Sequence, residues 1–257
     1  RPSAIDQRRH ESPSKAAKSI GLLSVAVGFA VLSVTLTDVH TTLSFTRFDN
    51  FEGVDMGPIL WCGWAILLIV GCTNAVNLTD GLDGLASGSA IFAFGAFVFI
   101  AFWAFRNAGQ DGVVADYQIP DALDIAVVAA ALVGATTGFL WWNATPARIF
   151  MGDTGSLAIG GGLAGLALLL STSLLLPIIG GLFVFETMSV IIQVFAFRVF
   201  HRRPFRMAPI HHHYEFAGWP QTTIIVRFWI LAGLSTAIAV GLYLATDRRT
   251  AVVRRAV

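Results

Sequence analysis

The chain has 257 residues, of which 55% are hydrophobic and 13% are charged, and its mean hydropathy is +0.70. Soluble globular domains contain about 25% charged residues, so a water-soluble fold of this length could not hide so much apolar surface. The net charge of +1 gives no indication of a nucleic-acid partner. The composition therefore predicts an all-α protein that crosses the lipid bilayer several times.

Seven apolar segments are long enough to cross a bilayer, which requires about 20 residues of helix. In chain order they are residues 19–37, 57–77, 84–105, 123–142, 156–172, 174–198 and 225–246. We therefore predict a polytopic transmembrane helical bundle of about seven spans, in which residues 1–257 form a single integral membrane domain. The fifth span is rich in glycine, and Gly161 and Gly165 have the spacing of a close helix contact.

Arginine and lysine are concentrated in alternate loops, and loops of this kind remain in the cytoplasm. On this rule we predict four cytoplasmic loops, at about residues 1–18, 78–83, 143–155 and 199–224. The basic C-terminus disagrees, because seven spans place this end outside the cell. Earlier loops usually dominate orientation, so the assignment is kept.

The first polar motif lies at the end of the second span and contains Asn74, Asn77, Asp80 and Asp83, three residues apart. On a helix or a 3₁₀ end this spacing keeps neighbouring side chains on nearly one face. Polar groups at membrane depth usually line a cavity. The alternative is a helix C-terminus followed by a solvated Asp-Gly turn, but four aligned amide and carboxylate groups favour a binding site.

The second motif is the loop from Asn143 to Ser156, in which Asp153 stands ahead of the fifth span. A carboxylate in this position suits a hard cation such as Mg²⁺, which proteins usually hold with one or two carboxylates and substrate phosphates. The alternative is that Asp153 caps the next helix, with Thr154 or Ser156 as rivals.

The third motif is a run of three histidines, His211, His212 and His213, on a loop with several arginines. Adjacent side chains rarely all point at one ion, so a three-histidine zinc site is not expected. Imidazoles are better suited here to donating hydrogen bonds to phosphates. A basic loop that only sets the topology would explain the arginines, but not the segment from Pro209 to Glu215. Together the three motifs predict phosphoryl transfer between a polar substrate and a lipid phosphate.

Residues 74–88, 150–156 and 208–215, followed by Gly218-Trp219-Pro220 and Arg227-Phe228-Trp229, resemble the phospho-N-acetylmuramoyl-pentapeptide transferases. These are the MraY translocases, of the polyprenyl-phosphate N-acetylhexosamine-1-phosphate transferase superfamily. The acidic motifs are shared across the superfamily, whereas the stretch 209–215 is specific to this branch. The resemblance extends from about residue 15 to residue 229.

The resemblance implies a reaction in peptidoglycan synthesis. Phospho-MurNAc-pentapeptide would pass from UDP-MurNAc-pentapeptide to undecaprenyl phosphate, giving lipid I and UMP, with Mg²⁺ as cofactor. The active site would face the cytoplasm at the bacterial plasma (inner) membrane, with a homodimer as one candidate assembly.

The resemblance also implies roles for individual residues. Asp153 would be the Mg²⁺ ligand, and the proposed catalytic set is Asp80, Asp83, Asp153, His212 and His213. The residues that would contact substrate are Asn74, Asn77, Asn143, Phe150, Gln193 and His211, with Phe150 near the uracil.

The chain departs from the family at its beginning. The family has ten spans, and a paired Asp-Asp motif precedes the last seven, which are the spans that match here. The chain lacks an initiating Met, so we interpret it as a fragment without this catalytic element. Lys15 or Lys18 would correspond to a basic residue after the missing pair, and Leu22 stands where the family usually has Gln.

Two other functions remain open at this stage. One is a related transferase that uses UDP-GlcNAc and a polyprenyl phosphate, and the segment 211–215 argues against it. The other is a non-catalytic membrane scaffold or a transporter. The carboxylates argue against a transporter, because they lie at loop edges rather than at the bilayer midplane.

Overall fold

The computed structural model describes residues 15–47, 54–108, 119 and 121–255, with the backbone alone described at residue 15 and at 247–255. These residues form nine helices. Their β-structure is a single isolated bridge between Thr42 and Asp55. The helices are α1 (Lys15–Leu36), α2 (Gly57–Thr79), α3 (Leu85–Asn107), α4 (Ala122–Asn143), α5 (Gly152–Leu169), α6 (Leu176–Ile179), α7 (Gly181–Phe200), α8 (Ile210–Glu215) and α9 (Gln221–Arg255). The predicted all-α fold is confirmed.

Six helices of the described chain are long and apolar enough to cross a membrane, so the protein is a polytopic helical membrane protein. Their apolar segments are Ala16–Leu36, Gly57–Thr79, Leu85–Asn107, Ala122–Asn143, Gly181–Phe200 and Gln221–Thr246. The sequence predicted seven. The difference is α5, which has 18 residues and packs against α2, α3 and α4. Its polar first turn and the glycines at 160–162 keep its mean hydropathy below that of the six candidate spans.

The predicted sixth span, residues 174–198, is divided in the structure. Leu176–Ile179 forms α6, and α7 begins after Gly180. The backbone carbonyls of Ile178 and Ile179 accept hydrogen bonds from the hydroxyls of Ser235 and Thr236 in α9. Because these hydroxyls satisfy carbonyls at the break, the apolar segment can change direction without exposing bare polar groups to lipid.

The centre of the bundle is α3. Of its apolar window 67% is buried, against at most 33% in the other five candidate spans. Its buried side chains are mostly small, and it packs mainly on α4 and α9. Small residues allow helix backbones to approach closely in lipid, where packing rather than the hydrophobic effect drives association. Large apolar side chains such as Ile59 and Phe195 lie instead on the outer surface.

A glycine brings α5 directly against α2. A Cβ at Gly160 would lie 2.6 Å from the carbonyl oxygen of Cys72 and would overlap the backbone of Thr73. The neighbouring Gly161 has only the Thr73 methyl group nearby, at 3.9 Å. This contact aligns the two helices so that the last turns of α2 lie beside the first turn of α5.

Gly160→Ala is expected to lower the free energy of unfolding by about 1–3 kcal/mol, because the added methyl group overpacks the α2–α5 contact. Gly161→Ala is the matched control, since its methyl group meets only ordinary van der Waals contact. Thermal unfolding in detergent measures both variants. Equal melting temperatures would contradict the close approach of α5 to α2.

Candidate functional site

The first polar motif straddles the end of α2. Asn74 and Asn77 lie on the helix, whereas Asp80 follows its last residue, with ψ of 49°, and Asp83 lies in the turn to α3. The turn ends at Gly84, whose φ of 83° favours glycine. The two aspartates therefore lie in a turn rather than on the predicted helix or 3₁₀ end, because the backbone leaves the helix before reaching them.

The loop after α4 is bonded to this turn. Asn143 is 3% exposed, and its Oδ1 accepts hydrogen bonds from the backbone N–H of Gly84 at 3.0 Å and from Ser87 Oγ at 3.1 Å. Its Nδ2 donates to the carbonyl oxygen of Ile149 at 2.9 Å. In this structure Asn143 joins two loops, and its contact with substrate stays a prediction.

Asp83 completes the connection between the turn and the loop. Its Oδ2 accepts a hydrogen bond from the backbone N–H of Ala147 at 3.2 Å, and its backbone carbonyl accepts one from Thr145 Oγ1 at 3.3 Å. The first two sequence motifs thus form one structural unit.

Asp153 lies in the first turn of α5, one residue inside the helix, and the N-cap is Met151 without a side-chain cap. The alternative that Asp153 merely caps this helix is therefore wrong. Its Oδ1 accepts a hydrogen bond from Asn77 Nδ2 at 2.8 Å, and its Oδ2 lies 3.0 Å from Lys18 Nζ. Lys18 also donates to Asn77 Oδ1 at 3.3 Å. We call these three residues the Lys18–Asn77–Asp153 junction.

The junction controls the charge of its carboxylate. Hydrogen bonds from Lys18 and then from Asn77 hold the pKa of Asp153 below its ordinary value. Its side chain remains 56% exposed. Asp153 is thus an ionised carboxylate that a ligand can reach.

Asp80 has the opposite character. Burial raises its pKa to about 6, and the negative charges of Asp83 and Asp153 contribute to the same shift. The three carboxylates are therefore close enough to influence one another. Within the residues that the structure describes, no group of three or more His, Cys, Asp or Glu side chains forms a ready metal cage. The arrangement fits a cation held by one or two carboxylates and completed by a ligand's phosphates.

The histidine segment forms the short helix α8. His212 Nδ1 lies 2.6 Å from Glu215 Oε2, and Gln221 donates to Glu215 Oε1 at 2.9 Å. Burial by itself raises the pKa of Glu215, but the hydrogen bonds from His212 and Gln221 lower it on balance. His213 Nδ1 accepts a hydrogen bond from the backbone N–H of Arg206 at 3.1 Å, which leaves Nε2 as the protonated nitrogen of the neutral ring.

The remaining predicted substrate contacts have diverse positions. Phe150 is 77% exposed in the loop before α5, where its ring is free to stack. Asn74 is exposed and donates to the carbonyl oxygen of Val70. His211 is fully buried. Gln193 bonds both ends of its amide to the backbone of Phe205, each at 3.1 Å, so in this structure it holds the basic loop.

An apolar cavity of about 710 Å³ opens beside the junction. Lys18 and Asp153 are its charged lining residues, and its other walls come from α1, α2, α4 and α5. Leu22, Val25 and Phe29 line it on α1, and the glycines at 161, 162 and 165 line it on α5. The cavity thus combines a charged end with a long apolar wall.

Sequence reasoning missed Glu186 and did not choose between Lys15 and Lys18. Glu186 was hidden in a predicted span, although an acidic residue inside an apolar run is itself a signal of function. The partner of Lys18 is Asp153, which is 135 residues away in the chain, and no local sequence pattern predicts a contact between residues so far apart.

The fold and the site define an integral membrane protein with carboxylates, a lysine and imidazoles on helix ends and on the turns and short helix between them. Residues 14–171 match the family described as glycosyl transferase family 4, and the chain belongs to that family.

Several phospho-N-acetylmuramoyl-pentapeptide-transferases are similar to the chain. The protein of that name from Streptomyces griseus is 51% identical over 237 residues, which cover 89% of this chain and 67% of the relative. Those from Streptomyces coelicolor and Rhodococcus opacus are each 49% identical, over 94% and 93% of this chain and 69% and 68% of their own lengths.

The raised pKa of Asp80 predicts a pH-dependent effect of Asp80→Asn. The ionised carboxyl destabilises the folded protein fully above about pH 6, and this penalty disappears as the pH falls towards 3.8. In Mg²⁺-free buffer, Asp80→Asn should therefore raise the free energy of unfolding by about 1 kcal/mol at pH 8, after allowance for solvent screening, and leave it unchanged near pH 4.

Asp55→Asn is the control for this measurement. Hydrogen bonds from Thr41 and from the Gly57 N–H lower the pKa of Asp55, so its replacement should destabilise the protein at pH 8. Thermal unfolding of both variants, with a chelator present, shows whether each substitution raises or lowers the free energy of unfolding. A destabilising effect of Asp80→Asn at pH 8 would contradict the assigned electrostatics.

Proposed function

We propose that the protein transfers phospho-MurNAc-pentapeptide from UDP-MurNAc-pentapeptide to undecaprenyl phosphate, giving lipid I and UMP. The observation that supports this most strongly is the identity of about 50%, over some nine tenths of the chain, with proteins named for this transfer. The site described above has the chemistry that such a reaction needs. The reaction belongs to peptidoglycan synthesis, and we place it at the cytoplasmic face of the bacterial plasma membrane.

We propose Mg²⁺ as the cofactor and Asp153 as its ligand. Asp153 is ionised and exposed, and the neighbouring Asp80 and Asp83 add negative charge. The cation would neutralise charge on the substrate's phosphates, which is the main requirement of phosphoryl transfer. It would also offset the repulsion from Asp83 and Asp153 that adds to the effect of burial on the pKa of Asp80.

Lys18 is proposed to bind the phosphate of the lipid substrate. Its ammonium group lies 3.0 Å from one oxygen of Asp153, and a cation held by that carboxylate would compete with the lysine for it. The same ammonium group lies at the charged end of the 710 Å³ cavity, whose apolar wall suits a polyprenyl chain. A lipid phosphate would thereby reach the carboxylates with its chain still in an apolar environment.

The imidazoles are proposed as donors to the sugar-nucleotide phosphates. The neutral His213 ring carries its proton on Nε2, because Nδ1 accepts from the backbone. His212 donates its Nδ1 proton to Glu215, so its Nε2 would donate to a phosphate only when the ring is the doubly protonated imidazolium. Positioned donors of this kind stabilise charge that develops on oxygen during the reaction. The exposed ring of Phe150 is proposed to stack on the uracil.

Asp153→Asn in the full-length protein should reduce Mg²⁺-dependent release of UMP by at least about 100-fold, the usual scale for losing a group that stabilises transition-state charge. Asp55→Asn is the matched control, since Asp55 lies at the opposite end of α2 and bonds Thr41. Its activity should stay within about twofold of wild type. UMP release from Asp153→Asn at the wild-type rate would contradict the role of Asp153 as a metal ligand.

The related transferase is tested with the wild-type protein, by supplying UDP-GlcNAc in place of UDP-MurNAc-pentapeptide.

Lys18→Met should raise the KM for undecaprenyl phosphate about tenfold, because one charge-assisted hydrogen bond to phosphate is lost. The KM for the UDP substrate should change much less. Arg106→Met removes a cation from the far end of α3 and serves as the control. Steady-state kinetics with each substrate varied in turn separates the two KM values, and an equal rise in both would argue against a lipid-phosphate role.

A further inference from the structure

Glu186 is an acidic side chain buried within the apolar helix α7. Its Oε2 lies 3.0 Å from Nδ1 of His211, and both side chains are 0% exposed. Ionisable groups inside membrane helices are costly to bury and usually have a function. None of the roles proposed above uses this carboxylate.

The pair leaves two polar atoms without a hydrogen-bond partner, Glu186 Oε1 and His211 Nε2. Buried polar groups nearly always have a partner, so each exception requires an explanation. The nearby Ser189 hydroxyl donates to the backbone carbonyl of Glu186 rather than to its carboxylate. The hydrogen-bonding capacity of the pair is therefore not fully used within the fold, which separates it from an ordinary structural pair.

The unpartnered edge of His211 faces the turn that holds the aspartates. A Cβ at Gly81 would overlap His211 Nε2 and would lie 2.8 Å from Cε1, so the imidazole lies directly against the backbone of the turn. The same ring packs on His212, with ring centroids 4.2 Å apart. One imidazole thus contacts both the turn from Asp80 to Gly84 and the histidine segment.

We propose that Glu186 is a positioning residue for the transferase site. Its carboxylate accepts the Nδ1 proton of His211 and fixes the ring, and the ring sets the position of Asp80 and Asp83 on one side and of His212 on the other. Glu186 itself touches no reacting group. The kinetic consequence rests on the proposed function, whereas the contacts of His211 do not.

The kinetic test uses Glu186→Leu and Glu186→Gln in the full-length protein. Loss of a partner that orients a functional group typically lowers activity about 10- to 100-fold. The leucine variant should lose kcat by this factor with the KM for the UDP substrate nearly unchanged. The glutamine variant should retain more activity, since its amide oxygen still accepts the Nδ1 proton. Thr136→Val is the control, a buried hydroxyl that bonds only within α4.

A double-mutant cycle tests whether Glu186 acts through His211. In a His211→Ala background, Glu186→Leu should cause little further loss of kcat, because the ring that it positions is absent. Losses that multiply would overturn the proposal, as would a leucine variant with wild-type kcat.

A stability cycle tests the same contacts without any activity. Gly81 does not have a positive φ, so Gly81→Ala should destabilise the protein only through its clash with the His211 ring. The melting temperature should fall in the wild-type background, fall less with Glu186→Leu, where the ring can yield, and hardly change with His211→Ala. Gly95→Ala, with open space around it, is the control. Equal losses of melting temperature in all three backgrounds would overturn the proposal.

The proposed function has a separate test. Absence of UMP release from the wild-type protein would contradict the proposed function alone.

Discussion

The Lys18–Asn77–Asp153 junction is the interaction on which the site depends. Asp80, Asp83 and Asp153 stand close enough for their charges to shift the pKa of Asp80, and three such groups repel one another. Asn77 and Lys18 donate to Asp153 and keep it ionised beside the other two. Because the three junction residues belong to α1, α2 and α5, the same bonds tie three helices together at the site. Repulsion among the carboxylates is the feature on which the proposed cation site rests.

The junction forms only because the helices approach closely below it. Gly160 allows α5 to lie against the backbone of α2 at Thr73, and this contact brings the first turn of α5 beside Asn77. The turn that follows α2 is held from other directions by Asn143, by the Trp229 indole N–H at Gly84 and by the ring of His211. Loops at a membrane surface are usually mobile. Here the turn is bonded to, or packed against, side chains of the bundle, which gives the candidate site a fixed geometry.

Most of the architecture could be predicted from the sequence, because the length of an apolar run directly reflects the thickness of a bilayer. The errors have physical causes. Glycines and a polar first turn make α5 shorter and less apolar than a typical span, and the break at Gly180 is stabilised by hydroxyls from α9 that no local pattern reveals. The spacing of Asn74, Asn77, Asp80 and Asp83 predicted a shared location, although the helix ends before the aspartates.

For the site itself, the sequence indicated residue types and left their partners open. Asn143, Gln193 and His211 were predicted to contact substrate, and the structure shows their side chains bonded to other parts of the protein. A polar side chain near a site can bind a ligand or hold a loop, and only its surroundings distinguish the two. Glu186 is the opposite case. It is a lone acidic residue in an apolar run, and its place in the sequence did not indicate that its side chain would pair with that of His211.

The most direct test of this account is to locate a divalent cation in the full-length protein. Mn²⁺ replaces Mg²⁺ and scatters anomalously, so crystals grown with Mn²⁺ and UMP would show the ion. The account predicts an ion about 2.1 Å from a carboxylate oxygen of Asp153, with Asp80 or Asp83 nearby and the ion pair between Lys18 and Asp153 broken. An ion bound elsewhere, or an ordered site in which Lys18 still pairs with Asp153, would contradict it.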